Sequence, residues 1–310
     1  MLRIIWAVLG IVSFIGLNRG NTVFAQSENN PEEWNPVSAG PVTSWTAPLC
    51  GKGRLVVQPF LFYNHTRGIF DSERHYDSLP GGDKKYQFQQ QLFMQYGLTD
   101  RLEIDGQTVY QENYARQGGQ SSHSEGFGDS YIFLRYCALE ETNTLPHLTG
   151  IFQLKLPTGK YQKANADKLG TDLMGATSGG GSYEHGYGGI LTKKIEPFIL
   201  HLDAIYSFPQ KVTVDGMRTE YAKYLTCDFG VEYFLPQGFN LMVEFNGFLQ
   251  GDKKENGEKI DLSDIRSLTL APGIGWSNDK IQTLLVYQRT LAGTNTDAND
   301  SIVFTLVYTF

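Results

Sequence analysis

Twelve segments of this chain alternate apolar and polar residues, and the connections between them run long, short, long again until Ser301 to Phe310 closes the sequence as SIVFTLVYTF. The long connections fall near 65–84, 114–126, 158–182, 209–222, 250–264 and 292–300. The short ones are Leu98-Thr99-Asp100, Glu140 to Pro146, the Lys194 to Pro197 corner, Pro236-Gln237-Gly238 and Ser277-Asn278-Asp279. Membrane-spanning barrels have short turns on the periplasmic side and longer loops outside. Six long and five short connections are what twelve strands with both ends on the periplasmic side require, so the rhythm gives orientation as well as fold.

Period two is clearest in Tyr86 to Tyr96, where Tyr86, Phe88, Leu92, Met94 and Tyr96 share one face and Gln87, Gln89, Gln91 and Gln95 the other. The two tyrosines are ten residues apart. At ~3.3 Å per residue and a tilt of ~40° they stand roughly 25 Å apart in height, the span between the aromatic girdles of a barrel. Leu225, Cys227, Phe229, Val231, Tyr233 and Leu235 repeat the pattern, as do Phe239, Leu241, Val243 and Phe245, and then Ile302, Phe304, Leu306, Tyr308 and Phe310. No charge interrupts these faces, as lipid requires, since a Lys or Arg at the midplane costs about 2 to 4 kcal/mol. A soluble sandwich shows the same alternation turned inside out, and the connection lengths decide against it. The expected fold is all-β, a transmembrane antiparallel up-and-down β-barrel of about 12 strands over residues 53–310.

The start of the chain is written differently. A positive Met1-Leu2-Arg3, an apolar run from Ile4 to Leu17 and small residues up to Ala25 read as a secretory signal over residues 1–25. The run of 14 apolar residues is shorter than the ~20 that cross a bilayer as a helix. Residues 26–52, with prolines, Trp34 and Trp45 and no period, form a tail that hangs in the periplasm or enters the lumen as a plug. Removing Arg3 and Arg19 from 26 basic residues leaves 24 against 33 acidic, a formal charge of −9 that disfavours nucleic acid as a partner. Cys50, Cys137 and Cys227 lack the close spacing of a zinc site and read as packing residues or at most one bridge.

Parity then assigns an interior. Gln87, Gln89, Gln91, Glu103, Asp105, Arg135, His201, Asp203, Asp228, Glu232, Glu244 and Asn246 fall on the face opposite the apolar one and are expected to line a polar, net-acidic lumen. Eight strands make a filled barrel and sixteen an aqueous channel, so twelve leave a narrow path that loops or tail can constrict. Charged rings in such a path select by sign, here for neutral or cationic solutes. The alternative is that these groups pair with Arg135 and one another and close the lumen.

Four stretches add a resemblance. YGLTDRLEI at Tyr96 to Ile104, GFGDSYIFLRY at Gly126 to Tyr136, LKLPTGKY at Leu154 to Tyr161 and LTLAPGIGW at Leu268 to Trp276 together resemble the outer-membrane transporters named for the MetA pathway of phenol degradation, over roughly Gly53 to Phe310. The resemblance implies a barrel in the cell outer membrane that carries small solutes, aromatic compounds among them. This chain departs from the family pattern at SGGGSYEHG, Ser178 to Gly186, where another Gly-Ser arrangement is expected.

The remaining expectations are of partners and rivals. The implied partners are outer-membrane lipid, a small-molecule solute and the barrel assembly machinery, for which Phe310 is the C-terminal signal. No motif implies a cofactor or a metal; the loop Tyr161 to Ser182, with Asp167 and Asp172, lacks the ligand spacing of an EF-hand. An enzyme is the first rival, since some twelve-stranded barrels are phospholipases with a Ser-His pair. Here Ser122, His123 and Ser124 lie side by side in a Gly-, Gln- and Ser-rich stretch with no strand-borne His-x-Ser. A non-conducting surface anchor or receptor is the second.

Overall fold

The computed structural model of the chain describes residues 34, 36, 38–159, 181–214 and 217–310. The expected signal at 1–25 and most of the Tyr161 to Ser182 loop lie outside the described residues. Twelve antiparallel strands close on themselves: β1 (Leu55–Phe70), β2 (Lys84–Gly97), β3 (Leu102–Gln117), β4 (Ser130–Leu139), β5 (His147–Leu156), β6 (Glu184–Ile195), β7 (Phe198–Pro209), β8 (Tyr224–Phe234), β9 (Phe239–Gln250), β10 (Ile265–Ser277), β11 (Ile281–Thr294) and β12 (Thr296–Thr309). The first and last strands pair from Val56 opposite Thr309 to Phe70 opposite Thr296, so no edge is left at the seam. The final residue is tied in too, the Phe310 N–H bonding the Leu55 carbonyl at 2.9 Å. Closure answers the demand that every backbone group inside lipid be paired.

The outer face carries the apolar half of each alternation. Leu61, Leu134, Leu202, Phe229, Leu241, Val243, Leu285 and Phe304 are exposed there. Aromatics mark both rims: Phe198 lies 5.2 Å from Tyr233 near the short turns, and Tyr86 stacks on Tyr114 at 4.6 Å near the far end. Cys50, Cys137 and Cys227 are all free.

Two connections expected to be long loops are strand instead. The 114–126 stretch is a hairpin in which β3 continues to Gln117, turns at Gly118-Gly119 with φ of 56° and 83°, and returns as Gln120–Phe127. Two successive positive φ values make the tight two-residue turn that glycine permits. The 292–300 stretch collapses to Asn295, with φ 48°, between β11 and β12. Strict alternation of loop lengths therefore fails at these two places while the strand count holds. The reason lies in the surroundings. These segments rise above the apolar band, where water wets both faces and selects no apolar residues, so the sequence has no period to read.

Val212–Val214, Met217–Glu220, Lys254–Glu255 and Glu258–Lys259 join above the rim in a small four-stranded sheet. Asp252 accepts the N–H groups of Ser263 and Asp264, and the Asn295 amide donates to the Leu262 and Asp264 carbonyls.

Candidate functional site: a lumen in two halves

The segment from Ser38 to Cys50 runs through the barrel, and inward carboxylates hold its backbone. Glu244 accepts from the N–H groups of Val42, Thr43 and Ser44 at 3.1, 2.9 and 2.8 Å and from the Ser44 hydroxyl at 3.1 Å. Asp203 accepts from Trp45 N–H at 2.9 Å, Glu103 from Cys50 N–H at 2.6 Å, and Glu232 from the Ser38 hydroxyl at 2.8 Å. Neutral groups continue the series: Gln282 takes the Ala39 N–H, Thr192 takes the Ala47 N–H, and Thr149 donates to the Ala47 carbonyl. An irregular segment inside a barrel has backbone donors that no ladder satisfies, and charged acceptors form the stronger bonds to them.

Arg135, on β4 and 0 % exposed, binds Glu103 at 2.7 Å, lies 3.7 Å from Asp105, donates to the Thr46 carbonyl and stacks over Trp45. His201 joins Thr192 at 3.1 Å to Glu232 at 3.0 Å, and Glu232 also takes an N–H from Asn240 at 2.5 Å. Apolar side chains complete the filling. Trp45 packs on Phe93 and Phe133, and Ala47 sits among Phe133, Ile151, Ile190 and Ile205. Val42 packs against a second cluster of Phe60, Met242, Leu284 and Val303. The interior is thus not uniformly polar, as parity reasoning expected; inward Phe60, Phe93 and Phe133 match the apolar residues of the tail.

Two glycines mark where the segment touches the wall. A Cβ on Gly97 would stand 1.9 Å from the Gly51 carbonyl oxygen, and one on Gly230 would stand 3.0 Å from Pro41 and 3.1 Å from the Ser44 hydroxyl. At the periplasmic mouth Trp34 meets Phe234 edge-on at 5.8 Å, and a smaller hollow of about 520 Å³ lies between it and the turns at Pro197, Pro236 and Asn278.

Above the segment the described residues of the barrel surround a cavity of about 1060 Å³, which has Thr43 and Trp45 in its floor and reaches Lys85, Tyr114, Glu184 and Gln250 toward the extracellular strand ends. One wall is a field of amides on β2 and β3: Gln87, Gln89, Gln91, Gln107, Gln111 and Asn113. Gln87 donates to Asn113 at 2.8 Å and Gln107 to Gln91 at 2.6 Å. The far wall carries Lys155, which pairs with Glu184 and lies 3.5 Å from Asp129, and Tyr224, whose hydroxyl bonds Glu184 at 2.7 Å.

The twelve residues singled out by parity therefore separate. Gln87, Gln89, Gln91 and Asp228 line the open cavity. Glu103, Asp105, Arg135, His201, Asp203, Glu232 and Glu244 are buried, and Asn246 is half-buried beside Asp228. Gln107, Gln111 and Asn113 were missed although they continue the parity of Glu103 and Asp105; the tail contacts had no sequence signal at all. Ser122 and Ser124 face away from His123 on the returning strand of the hairpin, which separates the Ser-His-Ser cluster.

The family model described as "Putative MetA-pathway of phenol degradation" matches residues 85–306. The chain belongs to that family. Among solved structures, the COG4313 outer membrane channel from Pseudomonas putida F1 superposes with a TM-score of 0.66 at 18% identity, covering 90% of this chain and 100% of that one. The NanC porin superposes at a TM-score of 0.50 with 7% identity, covering 81% of this chain and 98% of the porin. No curated protein matches by sequence. The likeness to solved structures is one of fold, that of outer-membrane β-barrels.

Proposed function

We propose that this outer-membrane channel passes small neutral or cationic solutes down their gradient, and that the Ser38 to Cys50 segment sets the narrowest part of the path. The observation that carries the reading is the cavity of about 1060 Å³ whose floor is formed by that segment. Its wall of uncharged amides offers donors and acceptors to hydroxyl groups, and its lining includes Val109, Tyr224 and Phe248 as apolar surface for a ring. Compounds with an aromatic body and a hydroxyl, such as phenols, fit both. In this reading residues 1–25 are the leader, residues 26–52 the plug, and Phe310 the end read by the assembly machinery. The protein catalyses nothing.

The test is the reversal potential of the folded chain Gln26 to Phe310 in a planar bilayer under a salt gradient. Discrete steps that favour cations, with the preference reduced in Asp228→Asn, support the reading. A correctly folded, heat-modifiable barrel without steps contradicts it and favours a non-conducting anchor.

A further inference from the structure

We propose that Asp228, which lines the cavity, and Asp203 and Asn246 beside it form a site for the ammonium group of a small organic cation. The inference deepens the reading of the cavity as a solute path and rests on it. The three residues occupy one row on neighbouring strands: Asp203 on β7 is directly opposite Asp228 on β8, which is directly opposite Asn246 on β9. Opposed residues on one face have Cβ atoms about 4.5 to 5.5 Å apart, and like charges so placed repel.

Among the described residues no cation pairs directly with either carboxylate, and the nearby cations are committed elsewhere. Arg135 serves Glu103 and the tail, Lys85 pairs with Asp297 at 2.5 Å, and Lys155 pairs with Glu184. Acceptor capacity is left over as well. Asp203 spends Oδ2 on Trp45 N–H, while its Oδ1, on a side chain 1 % exposed, has no hydrogen-bond partner. Asn246 beside Asp228 has its amide nitrogen as well as its Oδ1 without a partner, so of these three side chains the Asp203 oxygen is the acceptor that stands alone. Buried polar atoms are nearly always satisfied, so an unsatisfied carboxylate oxygen on Asp203, directly opposite a second carboxylate, points to an absent donor that carries positive charge.

A primary ammonium has three N–H donors and no acceptor, which suits three oxygens from three side chains. A dedicated metal cage fits less well, since the described residues contain no group of three or more His, Cys, Asp or Glu placed to hold an ion. Asp228 borders the cavity, so the ammonium enters from above and the rest of the solute stays among Trp45, Tyr224 and Phe248, where an aromatic body finds apolar faces. A site on a transport path binds weakly enough to let go.

The probe is phenethylamine, with 2-phenylethanol as its neutral counterpart, titrated calorimetrically at neutral pH into the folded chain Gln26 to Phe310 in detergent. The expected result is saturable binding of the amine, at least tenfold weaker for the alcohol, and a loss of at least tenfold for the amine in Asp228→Asn with a smaller loss in Asn246→Leu. Equal binding of amine and alcohol, or undiminished amine binding by a folded Asp228→Asn barrel, overturns the site. If the variants do not fold, the comparison of amine with alcohol on the unaltered chain still decides. A barrel that carries current but does not distinguish the two probes loses the site and keeps the channel; one that binds the amine yet carries no current keeps the site and loses the passage.

Discussion

The two halves of the lumen use polar residues for opposite ends. Toward the periplasm, carboxylates are spent on chain: Glu244 holds three backbone N–H groups, and Glu103 holds one more together with Arg135. Toward the outside, the wall on β2 and β3 is amide, uncharged and turned to open space. The difference teaches that acidity in a barrel interior is not in itself a selectivity filter. Where a carboxylate is filled by backbone donors it is a clamp, and the groups left for solute are those with an oxygen or amide to spare, such as Asp203 Oδ1.

Substitutions in the two halves should therefore differ in size. The largest effect is expected from Arg135→Met, which leaves Glu103 and Asp105 buried without their cation. Removing one partner of a buried pair costs about 3 to 5 kcal/mol, read as a lower denaturant midpoint for barrel unfolding. Next comes Glu244→Ala, which strands the donors of Val42, Thr43 and Ser44 at about 1 to 3 kcal/mol for each group left buried and unpaired. Its readout is protease cleavage between Ser38 and Cys50 in a barrel that stays folded. Gly230→Val should act in the same sense through sterics, pushing Pro41 and Ser44 off the wall and making single-channel current noisier. In the upper half, Gln89→Ala should change stability by less than about 0.5 kcal/mol, as is usual away from packed contacts, while altering solute flux; a large loss of stability there would break the comparison. The smallest effect belongs to the surface sheet. Hydrogen bonding from Lys259 holds the partly buried Asp252 carboxyl below its ordinary range. That contact is present above the carboxylate's unfolded value and is lost as pH falls through the lowered one, so amide exchange at Ser263 should quicken only in acid.

Much of the barrel could be read from the chain because lipid imposes a pattern on it. Leu225 to Leu235 and Phe239 to Phe245 alternate since one face must be apolar and the other need not be, and the register of β8 with β9 follows. Where lipid stops, so does the pattern, which is why the Gly118-Gly119 hairpin and the Asn295 turn look like loops in the sequence. The inward assignment of Glu103, Arg135 and Glu244 came from parity alone. Their partners did not, because backbone N–H groups of a tail rich in Pro, Ser and Thr carry no side-chain signature. Gly97 and Gly230 make the same point, since a missing Cβ becomes meaningful only once Gly51 and Pro41 are found against it.

The central claim is that the tail, and not the wall, narrows this channel. The direct measurement compares single-channel conductance of the folded chain Gln26 to Phe310 with that of a chain beginning at Gly51. The account predicts that both fold and that the shorter one conducts severalfold more, with a weaker preference between ions. Equal conductance from two folded barrels would contradict it.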